Sequence, residues 1–328
     1  MTELIDRFLK IDSFLVPGKA LILYGPRRAG KTTLLKSYLD SCGLRYRLET
    51  GADVRIRNLV GSSDLKQSLA FAEGFELVAI DEAQQIPDIG MGLKILVDHL
   101  PALRIIATGS SSFDLAGAIG EPLTGRKRTL TLFPISQMEL KRKFNSYDLR
   151  QRLEEYLVYG SYPETVMAEG RKEKIELLEE LVGSYLLKDV LAMDRVRSSR
   201  ALLDLLKLIA FQVGSEVSLN ELATQVKLDV KTVGRYLDIL EKAFVIVRLG
   251  GFSRNLRNEV TSKAKYYFLD NGIRNAIIGQ YNLLDSRNDI GALWENFIVA
   301  ERLKKRSYTG IYGNIYFWRT YDGKEIDY

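Results

Sequence analysis

A glycine-bounded loop near the start of the chain carries the residue types that bind the phosphates of a nucleotide. Glycine lets the backbone turn so that several N–H groups point inward, which a residue with a Cβ atom resists. A lysine after the second glycine adds a full positive charge, and the hydroxyl that follows it can ligate Mg²⁺. The predicted nucleotide-binding residues are Gly25, Pro26, Arg27, Arg28, Ala29, Gly30, Lys31, Thr32 and Thr33.

The flanking sequence supplies the elements that such a loop requires. An apolar run at residues 20–24 precedes the loop, and residues 31–39 have the pattern of a helix. Strand, loop and helix in this order are the context of a P-loop, because the helix N-terminus adds unpaired N–H donors. We therefore predict that ATP binds here, that Lys31 contacts its β- and γ-phosphates, and that Thr32 helps to hold Mg²⁺.

Two carboxylates, Asp81 and Glu82, follow a second apolar run at residues 77–80. A short apolar run is typical of a strand that is buried on both faces, and its end delivers both side chains to one place. We predict that Asp81 holds Mg²⁺ together with Thr32, and that Glu82 is the catalytic residue that orients and polarises the attacking water. The alternative is that the two acids only stabilise a helix N-terminus.

Hydroxyl groups lie at the end of the predicted strand at residues 104–108 and directly after it. Thr108 and Ser110 are the predicted catalytic residues that sense the γ-phosphate or hold the water, because ligands on such sheets collect where the strands end. The competing interpretation is that a serine of residues 110–112 caps a helix that begins near Phe113.

Two arginines, Arg126 and Arg128, lie just before the last predicted strand of this region. A guanidinium can stabilise transition-state charge as an arginine finger, and Arg126 is our predicted catalytic arginine, acting in its own subunit or in a neighbouring one. The alternative is a basic strand edge that discourages unwanted pairing between sheets.

The pattern from residue 18 to about residue 135 alternates apolar runs with helical periodicity. Such alternation predicts an α/β fold, here a P-loop NTPase with a parallel sheet flanked by helices. The predicted strands are residues 21–24, 46–49, 77–80, 104–108 and 129–133, and the predicted helices are residues 31–39, 63–72, 91–99 and 113–119.

The second half of the chain has a mostly helical pattern. Residues 139–159 and 172–191 are amphipathic and predict a helical lid or connector, with a hinge at residues 194–200. Apolar periodicity then indicates two short helices near residues 219–226 and 230–242, followed by a strand at residues 244–247. This order predicts a winged helix-turn-helix.

Basic residues on this predicted winged helix are candidates for contacts with DNA phosphates. Lys231, Arg235 and Arg248 are the principal ones, and Arg254 and Arg257 follow in the predicted wing. The alternative is a winged helix that contacts protein. Asp238 shares a helix face with Arg235 and Lys242, which weakens the case for an anion-binding surface.

The C-terminal segment carries two acids in a nuclease-like context. Glu295 lies on a predicted helix and Asp327 follows a predicted strand, as at the start of a PD-(D/E)xK nuclease core. Such a site also needs an acidic-x-Lys element to bind metal and activate water, and none follows before Tyr328. We therefore expect an incomplete nuclease-like region in which Glu295 and Asp327 are structural.

Several short sequence motifs of the chain resemble those of prokaryotic AAA-type P-loop ATPases, in which the ATPase domain precedes a domain of unknown function. The resemblance covers nearly the whole chain and implies ATP binding and hydrolysis, with no implied substrate. The matching motifs are residues 25–32, 80–84, 108–112, 125–126, 160–164, 267–272 and 291–297.

Bulk composition narrows the class of protein. The chain has 328 residues and a net charge of +5, which permits contact with nucleic acid without requiring it. The single cysteine excludes an intramolecular disulfide framework and a cysteine-built zinc site, and the single histidine leaves little basis for histidine chemistry. The absence of a long apolar run and of a signal-peptide core predicts a cytoplasmic protein with no membrane partner.

These observations together predict four regions and one principal function. The predicted regions are a P-loop AAA-type ATPase domain at 1–135, a helical lid or connector at 136–200, a winged helix-turn-helix at 201–270 and an incomplete nuclease-like α/β region at 271–328. The predicted function is a Mg²⁺-dependent ATPase that couples nucleotide state to DNA, to a protein partner or to a homo-oligomer. The alternative is a nucleotide-gated assembly switch with little turnover.

Overall fold

The computed structural model describes residues 5–110, 122–186, 190, 198–252, 264–319 and 325–326. The chain divides into two compact units: Arg7–Phe133, here called the P-loop unit, and Met1–Asp6 with Pro134–Tyr328, here called the second unit. Predictions for the helix at 113–119, part of the hinge at 194–200, Arg254, Arg257 and Asp327 lie outside the described residues.

The P-loop unit contains a five-stranded parallel sheet, as the alternating pattern predicted. The strands are β1 (Ala20–Tyr24), β2 (Tyr46–Thr50), β3 (Leu77–Asp81), β4 (Arg104–Thr108) and β5 (Lys127–Thr131). Their order in the sheet is β2-β3-β4-β1-β5, so β4 lies between β1 and β3. The apolar strands β1 and β3 are central and nearly fully buried, which explains why they have no polar face.

Four helices accompany the described part of this sheet: α1 (Lys31–Leu39), α2 (Val54–Gly61), α3 (Leu65–Ala72) and α4 (Ile89–His99). The helix expected at 63–72 begins at Leu65 because the Asp64 carboxylate accepts the backbone N–H of Gln67 and so caps it. Helix α2 was not predicted, although Asp53 caps it in the same way through Arg55.

In the second unit, the segment expected to be helical at 139–159 consists of short helices, because strong caps interrupt it. Ser136 and Glu139 form a capping box at the first helix, and Asn145 caps the second. The helices up to residue 186 are α5 (Gln137–Leu140), α6 (Ser146–Gln151), α7 (Leu153–Tyr159), α8 (Pro163–Met167), α9 (Arg171–Glu180) and a π-helix at Leu181–Leu186.

The remaining described elements build a second five-stranded sheet and the helices around it. The strand expected at 244–247 begins at Ile246, because Phe244 has a left-handed backbone with φ of 57°. The elements are α10 (Ser199–Phe211), β6 (Glu216–Val217), α11 (Leu219–Val226), α12 (Val230–Lys242), β7 (Ile246–Gly251), β8 (Ala264–Phe268), α13 (Asn271–Ile277), α14 (Ile290–Thr309), β9 (Tyr316–Arg319) and β10 (Glu325–Ile326). The strand order in this sheet is β10-β9-β7-β8-β6. Among the helices the structure describes, none is long and apolar enough to cross a membrane.

A buried polar network organises the core of the second unit around Asp270. The Asp270 carboxylate accepts the N–H and the hydroxyl of Ser161 at 2.6 and 3.0 Å and caps α13 through the N–H of Ile273. A Cβ atom on Gly160 would lie 1.9 Å from Asp270 Oδ1, so only glycine fits there. Burial raises the pKa of Asp270, and the nearby Lys304 ammonium opposes that rise.

A second ionic cluster joins Asp289 to the buried guanidiniums of Arg274 and Arg287, whose side chains are 4% and 0% exposed. Although burial favours the protonated acid, hydrogen bonds from both arginines outweigh it and lower the pKa of Asp289 to about 2. An unfolded aspartate titrates near pH ~4, so this stabilisation is complete above pH ~4 and is lost as the pH falls toward 2.

We expect Asp289→Asn to lower the free energy of unfolding by about 3 kcal/mol at pH 7, because it leaves two buried arginines without their carboxylate. The difference from wild type should shrink between pH 4 and pH 2. Urea unfolding at a series of pH values measures this, with the exposed Asp285→Asn as the matched control. Equal stability of Asp289→Asn and wild type at pH 7 would contradict the prediction.

Candidate nucleotide-binding site

The loop between β1 and α1 has the backbone geometry that its glycines predicted. Gly25 and Gly30 have φ of 148° and 94°, and Gly30 forms the N-cap of α1. A Cβ atom on Gly25 would lie 2.0 Å from the carbonyl oxygen of Leu132, so the start of the loop requires glycine. Arg28 also has a left-handed backbone, with φ of 58°.

Lys31 is held against the inside of this loop. Its side chain is 4% exposed, and its Nζ donates to the carbonyl oxygens of Gly25 and Pro26 at 2.9 and 2.8 Å. The ammonium therefore lies beside the backbone of the residues predicted to cradle phosphate. Of the other predicted binding residues, Ala29 is fully buried, Arg27 and Arg28 are half-buried, and Thr33 is exposed.

Asp81 receives hydrogen bonds from two different elements. The Thr32 hydroxyl of α1 donates to Asp81 Oδ2 at 2.8 Å, and the Thr108 hydroxyl of β4 donates to Asp81 Oδ1. The placement of β4 between β1 and β3 is what brings these three side chains together. Asp81, Thr32 and Thr108 thus form one continuous cluster at the carboxyl edge of the sheet.

This cluster fits the ligand requirements of Mg²⁺. Carboxylate and hydroxyl oxygens are hard ligands, and Mg²⁺ is commonly held by one or two carboxylates together with phosphate oxygens. Within the part of the chain that the structure describes, no group of three or more acidic, histidine or cysteine side chains forms a self-sufficient metal cage. A shared site completed by phosphate suits Asp81 and Thr32 better than a protein-only site.

Glu82 directly follows this cluster in an unusual backbone conformation, with φ of 51°. Its N–H donates to Thr108 Oγ1 at 3.1 Å, which fixes the turn. Gln84 Nε2 donates to Glu82 Oε2. Our sequence predictions did not include this contact, although Gln84 lies in one of the motifs that resemble the AAA-type ATPases. The Gln84 amide therefore orients the Glu82 carboxylate.

Ser110 follows β4 and is almost fully buried, and the preceding Gly109 donates its N–H to the carbonyl of Leu23 in β1. These contacts fix the path of the chain as it leaves β4 toward the loop side of the sheet. The sensing role of Ser110 stays a prediction, and Ser111 and Ser112 lie outside the described residues.

Arg126 and Arg128 lie at the amino-terminal end of β5, which is the end of the sheet opposite to the P-loop. Lys127, at the start of β5, pairs with Ala20 at the start of β1, whereas the P-loop follows the end of β1. Arg126 forms a 2.5 Å ion pair with Asp98, close to the end of α4. Because residues that precede a parallel strand lie at its amino end, Arg126 lies away from the loop of its own chain. The catalytic role of Arg126 stays a prediction, and this position favours a role toward a neighbouring subunit.

Arg7 contacts the loop and is a second residue that sequence analysis missed. It is 9% exposed, and its guanidinium donates to the carbonyls of Ala29 in the loop and of Phe133 beyond β5, each at 2.6 Å. These partners lie 22 and 126 residues away along the chain, so no local spacing could have indicated the contact.

The residues predicted to contact DNA lie on and after α12. Lys231 is exposed, Arg235 is half-buried, and Arg248 is exposed but lies at the far end of the helix, where its N–H donates to Glu241. The N-terminus of α12 is capped by Asp229, and hydrogen bonds from Thr232 lower the pKa of that carboxyl. An ionised carboxylate therefore occupies the position where a phosphate would otherwise bind.

Comparison with known families gives three matches along the chain. Residues 17–141 match the family described as an AAA domain. Residues 150–283 and 290–328 match two further families, each described as a domain of unknown function. Together with the parallel five-stranded sheet, the first match supports a P-loop AAA-type ATPase family for this part of the chain, and it indicates a nucleotide-binding, ATPase-like function.

The chain is also similar over most of its length to proteins described as uncharacterized. One from Mycobacterium tuberculosis is 28% identical over 327 residues, which cover 98% of this chain and 70% of the relative. One from Haemophilus influenzae is 28% identical over 335 residues, covering 94% and 78%. One from Methanocaldococcus jannaschii is 25% identical over 331 residues, covering 93% and 70%. These relatives supply no substrate or partner.

Proposed function

We propose that this protein binds ATP with Mg²⁺, hydrolyses it, and couples its nucleotide state to DNA or to a partner protein. The observation that carries the proposal is the cluster in which Thr32 and Thr108 both donate to Asp81, beside a buried Lys31 on a glycine-bounded loop. Phosphoryl transfer requires a cation for the phosphates and oxygen ligands for Mg²⁺, and these side chains can supply both.

Different residues of the chain are assigned to the phosphates and to Mg²⁺. The backbone of residues 25–30 and the N-terminus of α1 offer N–H donors to phosphate oxygens, and Lys31 exchanges its loop carbonyls for the β- and γ-phosphates. Asp81 and Thr32 hold Mg²⁺, which neutralises charge on the phosphates when bound. Arg27, Arg28 and Ala29 shape the loop, and Thr33 continues the first turn of α1.

Hydrolysis needs a group that accepts a proton from the attacking water. Glu82 is the carboxylate adjacent to the metal-binding residue, its backbone is fixed by Thr108, and its side chain is oriented by Gln84. We assign Glu82 the role of orienting and polarising the water, with Thr108 and Ser110 sensing the γ-phosphate.

The order of elements in the second unit supports the winged helix-turn-helix prediction. Helix α10, strand β6, helices α11 and α12, and the antiparallel pair β7 and β8 follow one another in the order of that motif. Lys231 and Arg235 on α12 are the residues we assign to phosphate contacts. Asp229, Asp238 and Glu241 along the same helix oppose them, so we expect modest affinity for DNA.

An ATPase assay with a panel of nucleic acids tests the coupling. We expect duplex or single-stranded DNA to raise turnover, and Lys231→Ala/Arg235→Ala to weaken filter binding about tenfold and to reduce the salt slope by about two. The matched control is Lys172→Ala/Lys305→Ala, which removes two exposed lysines from other helices. Absence of DNA binding at low salt would remove DNA as the partner.

A nucleotide-gated assembly switch with little turnover is the alternative, and the position of Arg126 favours it. Because Arg126 lies at the edge of the sheet away from the P-loop, the same chain does not place this arginine at the γ-phosphate. Oligomerisation that depends on ATP and proceeds without phosphate release would support the switch. Stimulated phosphate release would support the ATPase.

A further inference from the structure

Arg7 links parts of the P-loop unit that are distant in sequence. One guanidinium nitrogen donates to Ala29 inside the loop and another donates to Phe133, both at 2.6 Å. The planar fork of arginine can serve two carbonyls at once, and its burial strengthens each charge-assisted bond. The loop and the end of this unit are therefore held by one side chain.

The backbone around Phe133 also lies against the start of the loop. The N–H of Leu132 donates to the carbonyl of Tyr24 at 2.8 Å, and the Leu132 carbonyl occupies the space that a Cβ on Gly25 would need. Residues 132–133 thus contact the loop at its first residue directly, and at Ala29 through Arg7. We therefore expect a shift of the loop backbone to displace this segment.

Both ends of this arrangement are the places where the chain passes between its two units. Residues 6 and 7 form one junction and residues 133 and 134 form the other. Arg7 is itself the first residue after one junction, and it binds the last residue before the other. The same side chain therefore joins both junctions to the phosphate-binding loop.

We propose that Arg7 is a positioning residue that transmits the nucleotide state of the loop to both junctions with the second unit. When phosphates draw the loop N–H groups inward, Ala29 moves with them, and Arg7 carries that displacement to Phe133 and to its own backbone. The inference rests on the proposed ATP binding. It assigns to Arg7 the coupling that the proposed function requires.

Amide hydrogen exchange at residues 134–141 tests this in the full chain, with and without a saturating non-hydrolysable ATP analogue and Mg²⁺. In the wild type, we expect nucleotide to change exchange there about fivefold or more. Arg7→Met keeps a long, unbranched side chain but removes every donor, and it should abolish that change. Arg7→Lys, which retains the charge but reaches one carbonyl at a time, should restore part of it. Arg45→Met, at an exposed position before β2, is the control.

The outcomes separate this inference from the proposed function on which it rests. Titration calorimetry first establishes that the wild type and each variant bind the analogue. If the wild type does not bind, both the proposed function and the coupling are overturned. If it binds, and either the exchange does not respond or Arg7→Met responds as the wild type does, the coupling alone is overturned. Should Arg7→Met not fold, a full wild-type response in Arg7→Lys overturns it equally.

Discussion

Lys31→Ala is expected to abolish measurable ATP binding. The Lys31 ammonium is buried and lies against the loop carbonyls of Gly25 and Pro26, where it has little contact with water. Loss of a charged partner in such a place costs about 2–5 kcal/mol of binding free energy, a decrease in affinity of roughly 30-fold to several thousand-fold. The loop also loses the charge that balances the phosphates.

Titration calorimetry with Mg·ATP measures this effect directly. The control is Lys36→Ala, which removes a lysine from the exposed face of the same helix α1 and should leave the affinity within about twofold. A thermal melt of each variant, without nucleotide, shows whether the fold survives. Unchanged affinity in a folded Lys31→Ala protein would contradict the assignment of the P-loop.

The parts of the candidate site that could be predicted from the sequence are those whose functional residues lie next to one another along the chain. A P-loop needs its glycines, lysine and threonine within eight positions, because one turn of backbone must surround the phosphates. Asp81 and Glu82 were predicted for the same reason, since they lie directly at the end of an apolar strand. The alternation of strands and helices predicted the parallel sheet correctly.

Contacts between distant positions could not be predicted in this way. Arg7 has no periodicity or spacing that relates it to Ala29 or Phe133, and only the folded sheet brings them together. Gln84 lies close to Glu82 in sequence, but its contact depends on the left-handed turn at Glu82, which a non-glycine residue rarely adopts. The contacts of Arg7 and Gln84 therefore depend on the folded path of the backbone, which the sequence does not indicate.

The position of Arg126 depends on the direction of the strands, which the residue type alone does not give. An arginine close to a strand was expected near the nucleotide, but all strands of this sheet are parallel and Arg126 precedes β5. The start of every such strand faces away from the loop that follows β1. The pairing of Arg126 with Asp98, which lowers the pKa of that carboxyl, shows what the guanidinium does in its own chain.

Glu82→Gln is expected to stop ATP turnover while sparing ATP binding. Glutamine has almost the same size as glutamate, and its side-chain oxygen can still accept the hydrogen bond from Gln84. The amide cannot accept a proton from water, so the step that depends on the carboxylate fails. Loss of one general base lowers turnover by about 10²–10⁴-fold. Affinity for Mg·ATP should stay within about threefold, because Lys31, Thr32 and Asp81 are unchanged.

Phosphate release under saturating ATP measures turnover, and titration calorimetry on the same sample measures binding. Glu73→Gln provides the matched control, since Glu73 is exposed at the end of α3 and should turn over ATP as the wild type does. Reduced binding together with reduced turnover would indicate a role for Glu82 in holding the nucleotide. Undiminished phosphate release would remove Glu82 from catalysis and leave the polarisation of water to another residue at the end of β3 or β4.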